Sequence, residues 1–484
     1  MTGAIDVEKV RKALVALPEG TSHGEAPIPE HVYLPPSHVK AMDPNNSLVT
    51  GMRGAGKTFW WSALQEPEVR QLVAQQARGS GLSGDTEVRT GFGVTPATDK
   101  YPGKDVLLRL MRRDVEPRII WRTVQAWQLA PNHHPLRQRE TWPARAEYVE
   151  DDPEAIDRLF QQRDSEFDGK GTYLLILFDA LDRCADDWQD MYRAIRGLLQ
   201  TALEMRAYRR LRVKMFLRSD QVPESEVADF PDASKVLSSR VELSWPRHEL
   251  YGLLWNYLAN GESGDLIRAF LHEGGWRPTD VGQRSLFALP RAFVKEESQR
   301  EKFHEIAGRW MGKGPKRGFP YSWIPNHLGD GEGRVSPRSF LSALRTAADD
   351  TASRYAECKY TLHYDGIKHG VRQASTIRVN EIREDYPWVD RVLRPLQGMV
   401  VPCGFEEIAK RWRMKSLLDG LTEDVEKEAV KLPPRHIGDG PDGVRRDLES
   451  LGVFQRLHDG RVNMPDVFRV GYGLGRKGGV RPVR

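Results

Sequence analysis

Apolar and polar positions along the chain follow two rhythms. Short, mostly apolar stretches occur in Ser47-Leu48-Val49-Thr50, in Tyr173-Leu174-Leu175-Ile176-Leu177-Phe178-Asp179 and in Arg212-Val213-Lys214-Met215-Phe216-Leu217. Stretches this short, without a polar face, suit strands buried on both sides of a parallel sheet. Elsewhere apolar residues recur at three- and four-residue steps, at Val7, Val10 and Leu14, in IIWRTVQAWQLA, from Asp186 to Met205, and at Leu250, Leu253, Leu254, Tyr257 and Leu258. These steps predict helices. Strands alternating with helices predict an α/β fold with a parallel sheet flanked by helices. The stretch 79–168, which includes the β-like TEVRTGFG, must supply at least one strand–helix unit, because ~90 residues without structure do not fit a compact domain.

The pattern changes after Trp245-Pro246, where helical steps predict a helical lid over residues 246–360. Within it Ser336 and Pro337 read as the N-cap and first position of a helix running past Leu344. Further on, residues 405–418 and 441–451 read as helices. Two short alternating runs follow, joined by Asp459-Gly460, a strong hairpin signal. Helix, helix, hairpin is the order of a winged helix, so residues 361–484 are predicted to form a helical and winged-helix domain with a basic tail. Residues 1–46 are predicted to pack on the domain that holds the sheet, residues 47–245, through an amphipathic start and the proline-rich PIPEHVYLPP. Within that segment Tyr33 to His38 reads as a linker.

Composition narrows the class. A chain of 484 residues is expected to hold about three domains. No apolar run approaches the ~18 residues a membrane span needs, and Met1 leads into an acidic amphipathic stretch, so a cytoplasmic location without membrane contact is expected. Cys184, Cys358 and Cys403 are widely spaced and form no C-x-x-C pair, which argues against a disulfide framework or a structural zinc. The adjacent His133 and His134 have no carboxylate at ligand spacing and are not expected to hold a metal. A net charge of +4 says little, but residues 431–484 hold 11 basic and 6 acidic groups, and the last 14 residues hold four basic groups and no acid. That end of the chain is suited to an acidic partner, either DNA or protein.

The candidate chemistry begins at GMRGAGKT, residues 51–58, which fits G-x-x-x-x-G-K-[ST] directly after an apolar run. Glycines at this spacing let backbone N–H groups close around phosphate oxygens at a helix N-terminus. Gly51, Gly54, Ala55, Gly56, Lys57, Thr58 and Phe59 are therefore the candidate nucleotide contacts. Lys57 would reach the β- and γ-phosphates of ATP, and Thr58 would ligate Mg²⁺. A second carboxylate-ended strand is needed for the metal shell, and Asp179 ends YLLILFD. Asp182 is the candidate to orient an attacking water, or else the N-cap of the helix from Asp186 to Met205. Strand ends bind ligands in α/β sheets, so Arg218 or Ser219, closing the run before Asp220, is a candidate γ-phosphate sensor; the alternative is a solvated loop arginine.

The order of P-loop, D-A-L-D after an apolar strand, and a strand ending R-S-D resembles the additional-strand branch of P-loop NTPases. Asp179-Ala180-Leu181-Asp182 resembles the Walker B of STAND ATPases, and LDRC is similar to KAP-type ATPases. The resemblance covers about 200 residues. It departs from AAA+ enzymes at Ala180, where those carry a catalytic glutamate, and from KAP proteins in lacking membrane segments. It implies that Arg338, at a helix start, is a sensor-2 candidate with Pro290-Arg291 as its rival, and that Arg240 is a possible arginine finger. It also implies a slow ATP-dependent switch that controls assembly with a protein effector, as a possible homo-oligomer, in bacterial anti-phage or anti-plasmid defence. Two alternatives stand beside it: a DNA-binding motor or loader, and a nucleotide-binding scaffold with little turnover.

Overall fold

The three apolar runs become neighbouring strands. In the computed structural model, which describes residues 6–18, 25–271 and 275–476, five parallel strands form one sheet. They are β1 (Leu48–Gly51), β2 (Glu87–Phe92), β3 (Leu174–Asp179), β4 (Leu211–Arg218) and β5 (Val241–Glu242), in the order β2-β3-β4-β1-β5. β3 is buried along its whole length, as a strand with neighbours on both edges and helices on both faces requires. β2 comes from the long stretch 79–168 and lies at the sheet edge, where its first four residues are only half-buried.

β4 sits between β1 and β3, the additional strand inferred from the sequence. Its register places Arg218 beside Gly51 and Phe216 beside Asp179. The ends of the three strands thus deliver the glycine loop, the acidic strand end and Arg218 to one edge of the sheet. Behind it, helices Pro117–Leu129 and Trp188–Met205 pack closely: Trp121 donates its indole N–H to the Ala194 carbonyl at 2.7 Å, and Gln125 bonds Thr201 at 2.8 Å. A Cβ on Gly197 would come within 2.6 Å of the backbone of Pro117 and Arg118. Lys214, in mid-β4, is buried and donates to the carbonyls of Ala41, Asp43 and Asn46 at 2.6–2.8 Å, which ties the turn before β1 to the sheet.

The chain divides into two compact units. One comprises Thr21–Ser244 with Asp280–Arg284 and contains the sheet. The other comprises Met1–Gly20, Trp245–Thr279 and Ser285–Arg484. The N-terminal stretch is therefore shared: helix Val7–Val15 belongs to the second unit, where Arg11 donates to the carbonyls of Thr361 and Tyr360 at 3.1 Å. Helices Pro337–Arg354 and Tyr364–Asp385 pair in the same unit. The capped start read at Ser336 is present, with Pro337 at the first position and the Ser336 hydroxyl accepting from Ser339 N–H at 3.5 Å.

At the C-terminal end, helices Phe405–Met414, Leu417–Glu426 and Gly440–Ser450 lead into strands Gln455–Arg456 and Val462–Asn463. Cys403 adds an antiparallel bridge to Val462, giving a small wing sheet. The hairpin falls at Asp459-Gly460 as expected, with Gly460 at φ +83°. The single helix read over 405–418 is instead broken, because Ser416 takes a left-handed φ of 44°. No helix among the described residues is long and apolar enough to cross a membrane.

Candidate nucleotide-binding site

The loop after β1 has the conformation its glycines permit. Gly54 and Gly56 take φ of +79° and +102°, and a Cβ on Gly51 would meet the Ala55 Cβ at 3.0 Å. Lys57 opens the following helix, Lys57–Gln65, so the helix's N-terminal N–H groups face the loop. The Lys57 ammonium donates to the carbonyls of Gly51 (2.9 Å) and Met52 (2.8 Å). Burial pushes this lysine down to about 8. The positive Arg218 adds to that fall, and Asp179, Asp220 and Asp182 oppose it. One lysine that feels all four groups fixes the strand ends as one electrostatic neighbourhood.

Thr58 donates its hydroxyl to Asp179 at 2.7 Å. Burial raises the Asp179 carboxyl to about 6, partly offset by the Thr58 bond and the Lys57 charge, while Asp182 raises it further. A hydroxyl and a carboxylate held together, both hard oxygen donors beside the glycine loop, fit the protein share of a Mg²⁺ shell. Ala180, directly after Asp179, is in the left-handed region at φ 58°, ψ 35°. That conformation costs a non-glycine residue about 1 kcal/mol. The backbone turns there into the short 3₁₀ turn Leu181–Arg183, which carries the half-buried Asp182. The reading of Asp182 as cap of the next helix is corrected: that helix is Trp188–Met205, and Asp187 caps it by accepting from Asp190 N–H at 2.8 Å.

At the end of β4 Arg218 is buried, not a solvated loop residue, and pairs twice with Asp220: Nε to Oδ1 at 3.1 Å and Nη2 to Oδ2 at 3.2 Å. The Ser219 hydroxyl faces Glu242 at 3.5 Å. Arg338 lies in the other unit, where it pairs with Glu381 at 2.8 Å, a carboxylate that Arg378 also holds. Arg291 sits exposed in a 3₁₀ turn, and Arg240 is exposed with Glu224 at 4.0 Å. His134 accepts from Leu136 N–H at 3.2 Å, and no cluster of three or more metal-ligating side chains occurs among the described residues.

Sequence reading missed two features. Asp220 was visible in R-S-D but only its neighbours were weighed. His38, in the segment before β1, accepts the Trp60 indole N–H on Nδ1 at 3.1 Å and therefore donates from Nε2 to the Ser244 carbonyl at 2.9 Å. Trp60 lies on the helix that Lys57 opens, so the segment is clasped to the loop's own helix.

Several of the basic groups singled out in the C-terminal region carry a carboxylate partner. Arg445 pairs with Asp442 (3.1 Å) and Glu449 (2.7 Å), Arg446 with Asp439, and Arg461 with Asp459 (2.7 Å). Arg456 is exposed, and Arg476 lies 3.4 Å from Asp466. Lys477, Arg481 and Arg484 lie outside the described residues.

The sheet order, the additional strand and the loop together make this a P-loop NTPase fold of α/β class with a helical C-terminal region. No protein-family model matches the chain, and no curated protein does. Among solved structures, the chain is similar to the Aeropyrum pernix ORC2 protein in ADPNP–ADP complexes, with 13% identity, 91% of this chain and 93% of that chain covered, and a TM-score of 0.38. It is also similar to the A. pernix ORC1 protein in complex with DNA, with 15% identity, 94% and 93% covered, and a TM-score of 0.33. For Cdc6p from Pyrobaculum aerophilum the figures are 10% identity, 87% and 83% covered, and a TM-score of 0.27. Likenesses of this size leave the functional reading to the chain's own residues.

Proposed function

We propose that the chain binds Mg·ATP at residues 51–58 and hydrolyses it slowly, as a switch whose nucleotide state controls assembly with a protein partner. The observation that carries the reading is the Lys57, Thr58 and Asp179 arrangement at the edge of the additional-strand sheet. Lys57 would exchange its loop carbonyls for phosphate oxygens, and Thr58 and Asp179 would hold Mg²⁺, which supplies charge neutralisation between the phosphates. Asp182 is the side chain of this turn that would position water, and Arg218 the one that would read the third phosphate. Slow turnover follows from Ala180, which offers no carboxylate at the position directly after the metal aspartate. A role in defence against phages or plasmids rests on the STAND- and KAP-like sequence pattern alone.

The switch is preferred to a DNA motor because Arg445 and Arg446 would have to leave Asp442, Glu449 and Asp439 to meet phosphates. The deciding experiment measures ATP turnover with and without duplex DNA on full-length protein sized by light scattering. Slow turnover that is insensitive to DNA, with a nucleotide-dependent change in mass or partner capture, supports the switch. Strong stimulation by DNA favours the motor, and binding with no turnover favours the scaffold.

A further inference from the structure

The end of β4 carries a charge arrangement that nucleotide binding alone does not explain. Two cations, Lys57 and Arg218, meet three carboxylates, Asp179, Asp182 and Asp220, in one neighbourhood. Mg·ATP brings further negative charge, so each carboxylate there needs a reason. Asp179 has the metal shell and Asp182 the turn facing it. Asp220 has Arg218: it takes two hydrogen bonds from that guanidinium, and the two side chains are only 10% and 14% exposed. The pair is further held by the turn itself, since Gln221 accepts from the Arg218 backbone N–H at 3.4 Å. Because Arg218 stands beside Gly51 in the strand register, the guanidinium is anchored one strand from the phosphate loop.

We propose that Asp220 is a positioning residue that masks Arg218, so that the γ-phosphate of a nucleoside triphosphate and the Asp220 carboxylate compete for one guanidinium. The inference rests on the nucleotide reading of residues 51–58 and adds a regulatory element to it. A planar, permanently charged guanidinium takes a carboxylate or a phosphate in the same two-pronged geometry, so exchange between them costs little reorganisation. A diphosphate lacks the competing group and leaves the pair closed. Asp220 would thereby set the concentration at which triphosphate is sensed: it lowers affinity for ATP and leaves ADP nearly untouched.

The test is calorimetric titration of the full chain with Mg·ATP and with Mg·ADP, for wild type, Asp220→Asn, Arg218→Gln and the double variant. Removing the competing carboxylate should tighten ATP about tenfold, the scale of one charge-assisted hydrogen bond, and ADP by less than about threefold. In the Arg218→Gln background the same change should no longer tighten ATP. Asp220→Asn should also melt lower than wild type, because it removes one negative charge from beside a poorly solvated guanidinium, and Mg·ATP should raise its melting temperature more than it raises that of wild type. If Asp220→Asn is not folded, Asp220→Ser carries the same comparison.

Weaker ATP binding in Asp220→Asn would overturn the inference and make Asp220 a holder of the productive arginine. Equal tightening of ATP and ADP, or tightening that survives in the double variant, would reduce it to a general field effect. Failure of wild type to bind either nucleotide would instead overturn the reading of residues 51–58, and the inference with it.

Discussion

Thr58 donates its hydroxyl to Asp179 across 2.7 Å, although 121 positions separate the two residues in the sequence. The strand order produces the meeting: β1 leads into the loop before Thr58, β3 ends at Asp179, and β4 between them sets the spacing. Asp179→Ala should therefore remove the Mg²⁺ dependence of nucleotide binding. Asp182→Asn should keep binding and lose turnover by about 10² to 10⁴-fold, the range of a positioned acid–base group. Calorimetry with and without Mg²⁺, set beside a phosphate-release assay, checks both. Full turnover in Asp182→Asn would leave that residue as part of the 3₁₀ turn only.

Lys57 makes its hydrogen bonds to the carbonyls of Gly51, the last residue of β1, and Met52, both within six positions of it in the sequence. Lys57→Ala should consequently leave the melting temperature within a few degrees of wild type and abolish Mg·ATP binding. An unchanged affinity in this variant would remove the assignment of the site.

Arg218 is proposed as the reader of the third phosphate and carries an ion pair to Asp220, while Arg338, in the other unit, carries one to Glu381. Charge removal at Arg218 should weaken ATP more than ADP. The two also differ in what they hold: Glu381 keeps Arg378 at 2.9 Å when Arg338 is lost, whereas Asp220 loses two hydrogen bonds at once with Arg218. Arg338→Gln should thus cost less stability than Arg218→Gln. Equal losses of affinity for the two nucleotides in Arg218→Gln would exclude this arginine as the sensor.

The parts of this molecule that were legible in the sequence are those where chemistry or periodicity fixes spacing. The turn from Gly51 to Thr58 could be read because its left-handed positions at Gly54 and Gly56 call for glycine, and β3 because burial on both faces removes its polar positions. The helix start at Ser336-Pro337 was legible because capping is local. What stayed hidden depends on tertiary partners. Nothing local marks Ala180 as left-handed, Ser416 breaks a helix whose apolar steps continue, and His38 finds Trp60 and Ser244 only after the fold brings them together. The pairing of charges near the C-terminus was hidden for a related reason: composition counts charges, while the fold pairs Arg445, Arg446 and Arg461 with nearby carboxylates.

That pairing bears on DNA. Each phosphate neutralised by a free cation contributes a slope of about −0.9 to the log–log dependence of affinity on salt. With Arg445, Arg446 and Arg461 paired to carboxylates, these three should add little to the slope, and any salt dependence of duplex binding should come from the other basic groups of this region. Fluorescence anisotropy at two salt concentrations measures it. A steep slope, together with turnover stimulated by the same duplex, would sink the switch reading in favour of a motor.

The clasp around His38 makes the protein sensitive to acid. Its Nδ1 accepts from Trp60, so the ring must be neutral there, and burial holds it down to about 4, against 6.5 for a free histidine. Between those two values the unfolded chain binds a proton that the folded chain refuses, so stability rises with pH across this window and falls as pH is lowered through it. The full difference amounts to about 3 kcal/mol, present above pH 6.5 and gone below about 4. His38→Phe removes the titrating group, and it also removes both hydrogen bonds. This variant should be less stable at pH 7, and its urea midpoint should change less between pH 7 and 4.5 than that of wild type. Parallel pH dependences in the two proteins would mean that the acid sensitivity lies elsewhere and that His38 serves only as a hydrogen-bonded strut between Trp60 and Ser244.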